Sequence, residues 1–502
     1  MPLPRPLSGR AAAVAFAMCA VYVLALAYPA HRHVVGAFSD FYVYYAPDAD
    51  LIARGEFPSN PFNPPGYPAL LVLLSPLTGD HFTTAKWMSL LAAGLTGMLC
   101  FVLFHRLFGA GPALLAVPIV LLSEAFNRYS ISAMTDIPFL CLCLVALLVV
   151  MKVRADAWHW AALAGIVCGA AYLMRYNGLF LLVPGLAAAV WSGGSAGSRA
   201  RLTALFLAAF ALTAAPWWWL NYVHHGSPFY SRNYQDVALA LGLRATGRPF
   251  ASLGDVVVSN PLRFARGYLR QVPYMLLQSL GSSLALLPVG PLAAVGMVLG
   301  LVRRRTRPVM LVLAAWLSFL LLMSLTHWET RYFFFLLVCH AGFAAFATFE
   351  IAAWIGRVLD RPRIVPALVA IVALWILVPS IVVSWRAVRV TLERQPLELL
   401  PAARQLARVA PPGATVMSLR AQIAYLSGLK WRGQPGASSV EELRTLLGSD
   451  TPDYLVFDRW ARRFAKPLMP LAAPDFSVPW LEPVYRDPAS DIVIYAVHLD
   501  HR

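Results

Sequence analysis

Residues 364–386, IVPALVAIVALWILVPSIVVSWR, run for 22 positions without a charged side chain before Arg386. A helix needs about 20 mostly apolar residues to cross the hydrocarbon core of a bilayer, and this stretch has that length. Comparable stretches recur at about 10–30, 83–104, 110–125, 136–153, 157–175, 178–193, 201–224, 276–301, 308–326 and 331–354. Together they make eleven expected spans, of which 110–125 and 178–193 are the shortest. Ala25-Leu26-Ala27 looks like a signal-peptide cleavage site. The apolar run before it exceeds the usual 7–15 residues of such a peptide, so an uncleaved span is expected.

Composition agrees with this reading. Of 502 residues 59% are hydrophobic and 13% charged, whereas soluble domains carry about 25% charged residues. Disorder is excluded, because disordered chains are poor in aromatics and rich in charge. With Gly at 32 and Cys at 6, collagen-like and disulfide-scaffold classes fall away as well. The cysteines, Cys141 and Cys143 among them, all lie in apolar stretches and read as small buried helix residues.

The net charge of +16 is first a topology signal. With the N-terminus inside, the inner segments hold 14 basic residues, from Arg5 to Arg363, against Asp156 and Asp360. That asymmetry is the positive-inside pattern, and it removes nucleic acid as a partner. Eleven spans place the C-terminal segment outside. The expected organisation is a mainly α, polytopic helical bundle over 1–386, with long outer loops at 31–82 and 225–275, and a small extracytoplasmic α/β domain over 387–502. In that tail, 414–418, 454–458 and 491–497 read as strands. Ser439-Val440-Glu441-Glu442 opens a helix running to Leu447.

Several carboxylates flank span ends on the outer side: Asp40, Glu124, Asp136 and Glu329. Charge at membrane depth is costly and serves a site or has a partner, whereas Asp48, Asp50 and Asp80 read as solvated loop carboxylates. Within Ser39-Asp40-Phe41-Tyr42-Val43-Tyr44-Tyr45, a helix puts Asp40 and Tyr44 one turn apart. Asp40 suits a general base and Tyr44 and Tyr45 suit sugar binding; a capping Asp with interfacial tyrosines is the plainer reading. Asn60-Pro61-Phe62-Asn63-Pro64-Pro65-Gly66-Tyr67-Pro68 cannot continue a helix and must form a stiff loop. The following Ala69–Leu77 is too short to span. Asp136 in Thr135-Asp136-Ile137-Pro138 is either a site ligand or an ordinary helix-start acid. Arg175-Tyr176-Asn177-Gly178 and Glu329-Thr330-Arg331-Tyr332 put two arginines at outer helix ends, suited to a lipid-linked phosphate or to a Glu329–Arg331 pair. Lys86 and Arg128 are weaker candidates of the same kind. Trp217-Trp218-Trp219 reads as an interfacial anchor, and His31-x-His33 and His224-His225 lack metal-ligand spacing.

Taken in order, Ser39-Asp40-Phe41-Tyr42, Asn63-Pro64-Pro65-Gly66-Tyr67-Pro68, Thr135-Asp136-Ile137-Pro138, Arg175-Tyr176-Asn177-Gly178 and Glu329-Thr330-Arg331-Tyr332-Phe333 resemble the GT-C class of membrane glycosyltransferases. The likeness is to glycosyltransferase family 39, to protein O-mannosyltransferases and to the lipid A aminoarabinose transferase. It implies inverting transfer of a sugar from a polyprenyl phosphate to a glycolipid, polysaccharide or protein on the outer face of a bacterial inner membrane. Asp40 would activate the acceptor, and Asp136 would help to bind the donor. Arg331, then Arg175, would hold the leaving phosphate. Tyr44, Tyr45, Asn63, Lys86, Arg128, Glu329 and Tyr332 are the further substrate-binding candidates. The resemblance fixes no cofactor; it leaves room for a divalent metal ion, which would fall to Asp40 and Asp136. Pro61-Phe62-Asn63-Pro64-Pro65 lacks the Glu and Lys of the aminoarabinose transferases' Glu-x-Lys-Pro-Pro pattern, which argues against that reaction and against a metal. The alternative function is a transporter or flippase for lipid-linked saccharides, which would place charge at the midplane and show inverted repeats.

Overall fold

The computed structural model describes residues 9–243, 250–282, 284–448, 451–487 and 489–499. Arg5, among the inner-side arginines, lies outside them. Contacts divide the chain into two units. One comprises the chain up to His33 with Asp48–Leu392, the other Val34–Pro47 with the chain from Glu393 onward.

The first unit is helical. Among the described residues, five helices are long and apolar enough to cross a membrane: Gly9–Arg32, His81–Phe108, Ala196–His225, Thr330–Val358 and Pro362–Glu393. Shorter apolar helices are Gly66–Leu77, Asp136–Val150, His159–Met174, Tyr176–Val190, Val289–Arg303 and Arg307–Met323. Local chemistry sets the ends. Asp80 accepts from the Thr83 amide at 2.8 Å to open His81–Phe108, and Gly226, with φ +72°, closes Ala196–His225.

Two expected spans differ from the sequence reading. The stretch 110–125 is a pair of helices, Ala110–Leu121 and Glu124–Ser130, bent by 66°. Asn127 Nδ2 takes up the freed carbonyls of Leu121 (2.8 Å) and Ser123 (2.9 Å), and Ser384 Oγ donates to that of Leu122. Irregular backbone at membrane depth persists only where such partners satisfy it. The stretch 276–301 is likewise interrupted: the amphipathic helix Pro261–Leu280 ends before Val289–Arg303 begins.

Helix Phe334–Val358 is buried at every position from Phe334 to Thr348, on all of its sides, which marks that part as the centre of its bundle. Its neighbours approach through glycines. A Cβ at Gly296 would overlap the Phe343 carbonyl, and one at Gly342 the Phe104 ring. Gly165 and Gly169, spaced as in Gly-x-x-x-Gly, do the same for His159–Met174 against Phe206, Phe210 and Thr213.

The second unit holds a five-stranded sheet of β1 (Thr415–Ser418), β2 (Lys430–Gly433), β3 (Tyr454–Phe457), β4 (Leu481–Asp487) and β5 (Ile492–Val497), in the order β2-β1-β3-β5-β4. β1 pairs parallel with β2 and β3; β5 is antiparallel to β3 and β4. Helices Leu399–Val409 and Val440–Leu447 bury leucines beside the sheet, and Ser439 accepts from the Glu442 amide at 3.0 Å. Segment 34–47 belongs to this unit: Gln395 Oε1 accepts from the amides of Val35 and Gly36, and Phe41 and Tyr42 pack on Tyr425.

Gly296→Val should cost about 1–3 kcal/mol through overpacking, read as a lower melting temperature in detergent. Gly9→Val, whose Cβ meets nothing within 4 Å, should leave the melting temperature unchanged.

Candidate functional site

Asp136 opens helix Asp136–Val150 and is 3% exposed. An isolated carboxylate cannot stay ionised in such a place, and Arg175, where His159–Met174 gives way to a 3-10 turn, meets it: Nη1 lies 2.7 Å from Oδ1. The Arg175 side chain is itself 11% exposed, so the pair is buried on both sides. Asp136 therefore has a cationic partner as well as its helix-start position.

A second pair stands beside it. Arg331 Nε lies 2.7 Å from Glu329 Oε1 and Nη2 3.2 Å from Oε2, a fork-on-fork contact. The Tyr332 ring faces both guanidinium groups, with its centroid 5.0 Å from each Cζ. Asp136, Arg175, Asn177, Arg331 and Tyr332 line one small pocket. Burial alone would raise the Glu329 carboxyl. The His327 imidazole at 3.8 Å and the Arg331 charge outweigh it and hold the carboxyl at about 2.

Glu329 and Arg331 also line a larger cleft, with a volume of about 340 Å³. Its walls come from the two interruptions in the bundle. Leu122, Ser123, Glu124 and Arg128 surround the 66° bend, and Ser282, Leu284 and Leu286 follow the break after Leu280. Glu124 and Arg128 are 3.5 Å apart and exposed. The cleft thus combines an apolar wall with two guanidinium groups. Sequence reasoning named Arg128, Glu329 and Arg331, but missed Ser282, Leu284 and Leu286 because the break inside 276–301 was not foreseen.

The stiff loop is anchored from below. Asp48, read as a solvated loop carboxylate, is 1% exposed, and accepts from the amides of Ser59 (2.8 Å) and Asn60 (3.2 Å). Asn60 Oδ1 in turn accepts from the amides of Phe62 and Asn63. The Arg232 amide and Asn233 Nδ2 donate to the carbonyls of Pro61 and Phe62. Gly66 lies so close to the Leu173 carbonyl that a Cβ would overlap it, which seats the loop two residues before Arg175. Of the other carboxylates read as solvated, Asp80 caps a helix and Asp50 lies 3.2 Å from His81.

The remaining candidates fall elsewhere. Asp40 is half-buried and precedes a π-helical turn, Phe41–Tyr45, in which its side chain makes no capping bond. Tyr44 is half-buried and Tyr45 2% exposed, in the core. These three belong to the second unit. Lys86 is buried and donates to the His31 carbonyl at 3.0 Å. The expected tryptophan anchor is only partly one. Trp217 and Trp218 turn inward to the hydroxyls of Tyr176 and Tyr172, both at 3.0 Å, and Trp219 alone of the three is strongly exposed. Asp136, one of two residues named for a metal, is engaged by Arg175. Among the described residues no group of three or more His, Cys, Asp or Glu could hold an ion.

Residues 62–219 match the family described as dolichyl-phosphate-mannose-protein mannosyltransferase. ArnT from Cupriavidus metallidurans, solved with undecaprenyl phosphate, superposes with a TM-score of 0.59 at 14% identity, over 96% of this chain and 97% of that one. The apo oligosaccharyltransferase of Archaeoglobus fulgidus gives 0.63 at 13%, over 89% and 69%. AglB of the same organism, with an inhibitory peptide and a dolichol-phosphate, gives 0.58 at 14%, over 90% and 70%. No curated protein matches the sequence itself. The chain shares the fold of these solved structures, and over residues 62–219 it resembles the mannosyltransferase family.

Removing one partner of a buried ion pair costs about 3–5 kcal/mol, whereas replacing both by apolar groups is often close to neutral. Arg175→Met should therefore lower the melting temperature sharply, and adding Asp136→Leu should recover most of the loss.

Burial raises the Asp48 carboxyl from its ordinary 3.8 to about 6, against the opposing amide bonds of Ser59 and Asn60. A raised acid contributes stability that is complete below pH 3.8 and is lost as pH rises through about 6. Thermal stability should fall between about pH 4 and 6 and level off above that, and Asp48→Asn should flatten that part of the profile.

Proposed function

We propose that this GT-C chain transfers a sugar from a polyprenyl phosphate to a glycolipid, polysaccharide or protein acceptor, with inversion, on the outer face of a bacterial inner membrane. The observation that carries the reading is the cleft, where Arg331 and Arg128 stand over an apolar wall that includes Leu284 and Leu286. A lipid phosphate asks for that combination of cations beside hydrocarbon. The matches to the mannosyltransferase family and to GT-C structures support the same substrate class.

The acceptor oxygen attacks the anomeric carbon and forms the new glycosidic bond. The bond from that carbon to the phosphate oxygen breaks, and the acceptor proton passes to Asp40. Asp40 takes this role on the strength of the resemblance. The donor is a phosphodiester with one negative charge, and the departing monoester approaches two. Guanidinium groups therefore bind the departing phosphate more strongly than the bound donor, which is the differential that accelerates a reaction. Glu329 keeps Arg331 from collapsing onto another anion, and the Asp136–Arg175 pair fixes the floor beneath Tyr332.

The orientation proposed is N-terminus cytoplasmic and C-terminal domain periplasmic or extracellular. Among the described residues five helices, or six with the bent pair as one span, are long and apolar enough to cross a membrane; the reading takes the shorter apolar helices other than Gly66–Leu77 as further spans.

Purified protein in proteoliposomes with a polyprenyl-phosphate sugar tests the reading. Asp40→Asn should reduce transfer by at least a thousandfold with donor binding retained, and Arg331→Ala should weaken donor binding about tenfold or more. Wild-type turnover in Asp40→Asn would sink the mechanism. Movement of the lipid-linked sugar across the vesicle without any product would favour a transporter.

A further inference from the structure

Helix Pro261–Leu280 is neither a span nor a core helix. It carries Arg263, Arg266 and Arg270 and no acidic residue. Its inner face is tied down. Phe264 and Tyr268 pack against the buried cluster of Ala238, Leu241, Leu243 and Val256, Tyr268 Oη donates to the Leu321 carbonyl, and Gln271 Nε2 to that of Thr326, both at 3.0 Å. Its other face is bare. Leu262, Leu269 and Leu277 are 71%, 71% and 70% exposed, and spacings of seven and eight put them in one stripe. The three arginines are exposed as well: Arg266 lies within the stripe and Arg263 and Arg270 along one edge of it. Val258 on the preceding helix and Leu239 extend the bare surface.

A helix with leucines on one side, arginines at their flank and low overall hydrophobicity lies in the plane of a membrane interface, its apolar face about 5–10 Å into the headgroup and acyl boundary. We infer that Pro261–Leu280 is such an in-plane helix, its leucines set among acyl chains and Arg263, Arg266 and Arg270 on the phosphates of anionic phospholipids. The occupant follows from charge. An unbroken set of cations along an apolar stripe complements anionic headgroups over hydrocarbon, and clusters of this kind are drawn to anionic leaflets. The helix also has a definite neighbour. Its last turn precedes Ser282, Leu284 and Leu286 of the cleft wall, so the leaflet gripped by the arginines meets the cleft at headgroup depth. Only the side of the membrane rests on the proposed function; the in-plane placement does not.

Nitroxide labels at Leu262→Cys, Leu269→Cys and Leu277→Cys, each in the full chain, test this; the six native thiols are all buried. The bilayers are phosphatidylcholine alone and phosphatidylcholine with 30% phosphatidylglycerol. All three labels should collide with oxygen far more often than with a water-soluble nickel chelate, at a depth just below the phosphates. Phosphatidylglycerol should immobilise them further, and Arg263→Gln with Arg266→Gln and Arg270→Gln should abolish that increment, at about fivefold in anionic-lipid preference per arginine. Water-like nickel access at the leucines would overturn the inference. So would dipolar broadening between labels, which would give the face to a second copy, or an anionic-lipid response that survives loss of the arginines. Absence of sugar transfer by the unaltered chain, with the labels at the expected depth, would count against the proposed function alone.

Discussion

A carboxylate and a guanidinium enclosed together near one end of an apolar bundle set the terms for this structure. Neither Asp136 nor Arg175 can be carried at that depth alone, because desolvating an unpaired ion costs far more than one contact returns. The helix start at Asp136 and the turn after Met174 must therefore stay in register. Around that fixed point the Asn63–Pro68 loop is seated through Gly66, and Tyr332 spans from Arg175 to Arg331.

The cleft has a different origin. It lies where two apolar segments fail to run straight, and each failure has its own chemical support. At the first bend Asn127 and Ser384 serve the carbonyls that a continuous helix would have bonded. A broken span thereby becomes tolerable in hydrocarbon, and the opening it leaves is lined by backbone and by hydroxyl groups such as Ser123 and Ser282. Polar surface is brought to membrane depth without a buried charge having to stand alone.

Much of this was legible in the amino-acid order, because length and hydropathy speak directly about bilayers. The helical segments, the glycine-free apolar run at 364–385 and the Ser439 cap each follow from local physics. Arg175, Glu329, Arg331 and Arg128 were found by their position at span ends, and three of these four line the cleft. What was not legible depended on partners distant in sequence. Asp48 looks like any loop acid until Ser59 and Asn60 fold over it. Trp217 and Trp218 match an interfacial anchor until Tyr176 and Tyr172 draw them inward. The break within 276–301 carried a weak signal, Gly281 followed by Pro288, that a hydropathy average passes over. β2 and β4 escaped notice because Lys430–Gly433 and Leu481–Asp487 are polar and mostly lie toward sheet edges.

The shortness of some helices has a bearing on the lipid around them. Asp136–Val150 has 15 residues and His159–Met174 has 16. At about 1.5 Å per residue they measure about 22–24 Å, against a hydrocarbon core of about 30 Å. The mismatch costs fractions of a kcal/mol per Å, and a bilayer meets it by thinning beside the short elements. Asp136–Val150 is enclosed by protein, whereas His159–Met174 presents Leu163 and Ile166 outward; a bilayer beside that face would thin to meet it, and such a chain would partition toward thin, fluid bilayers over thick, ordered ones.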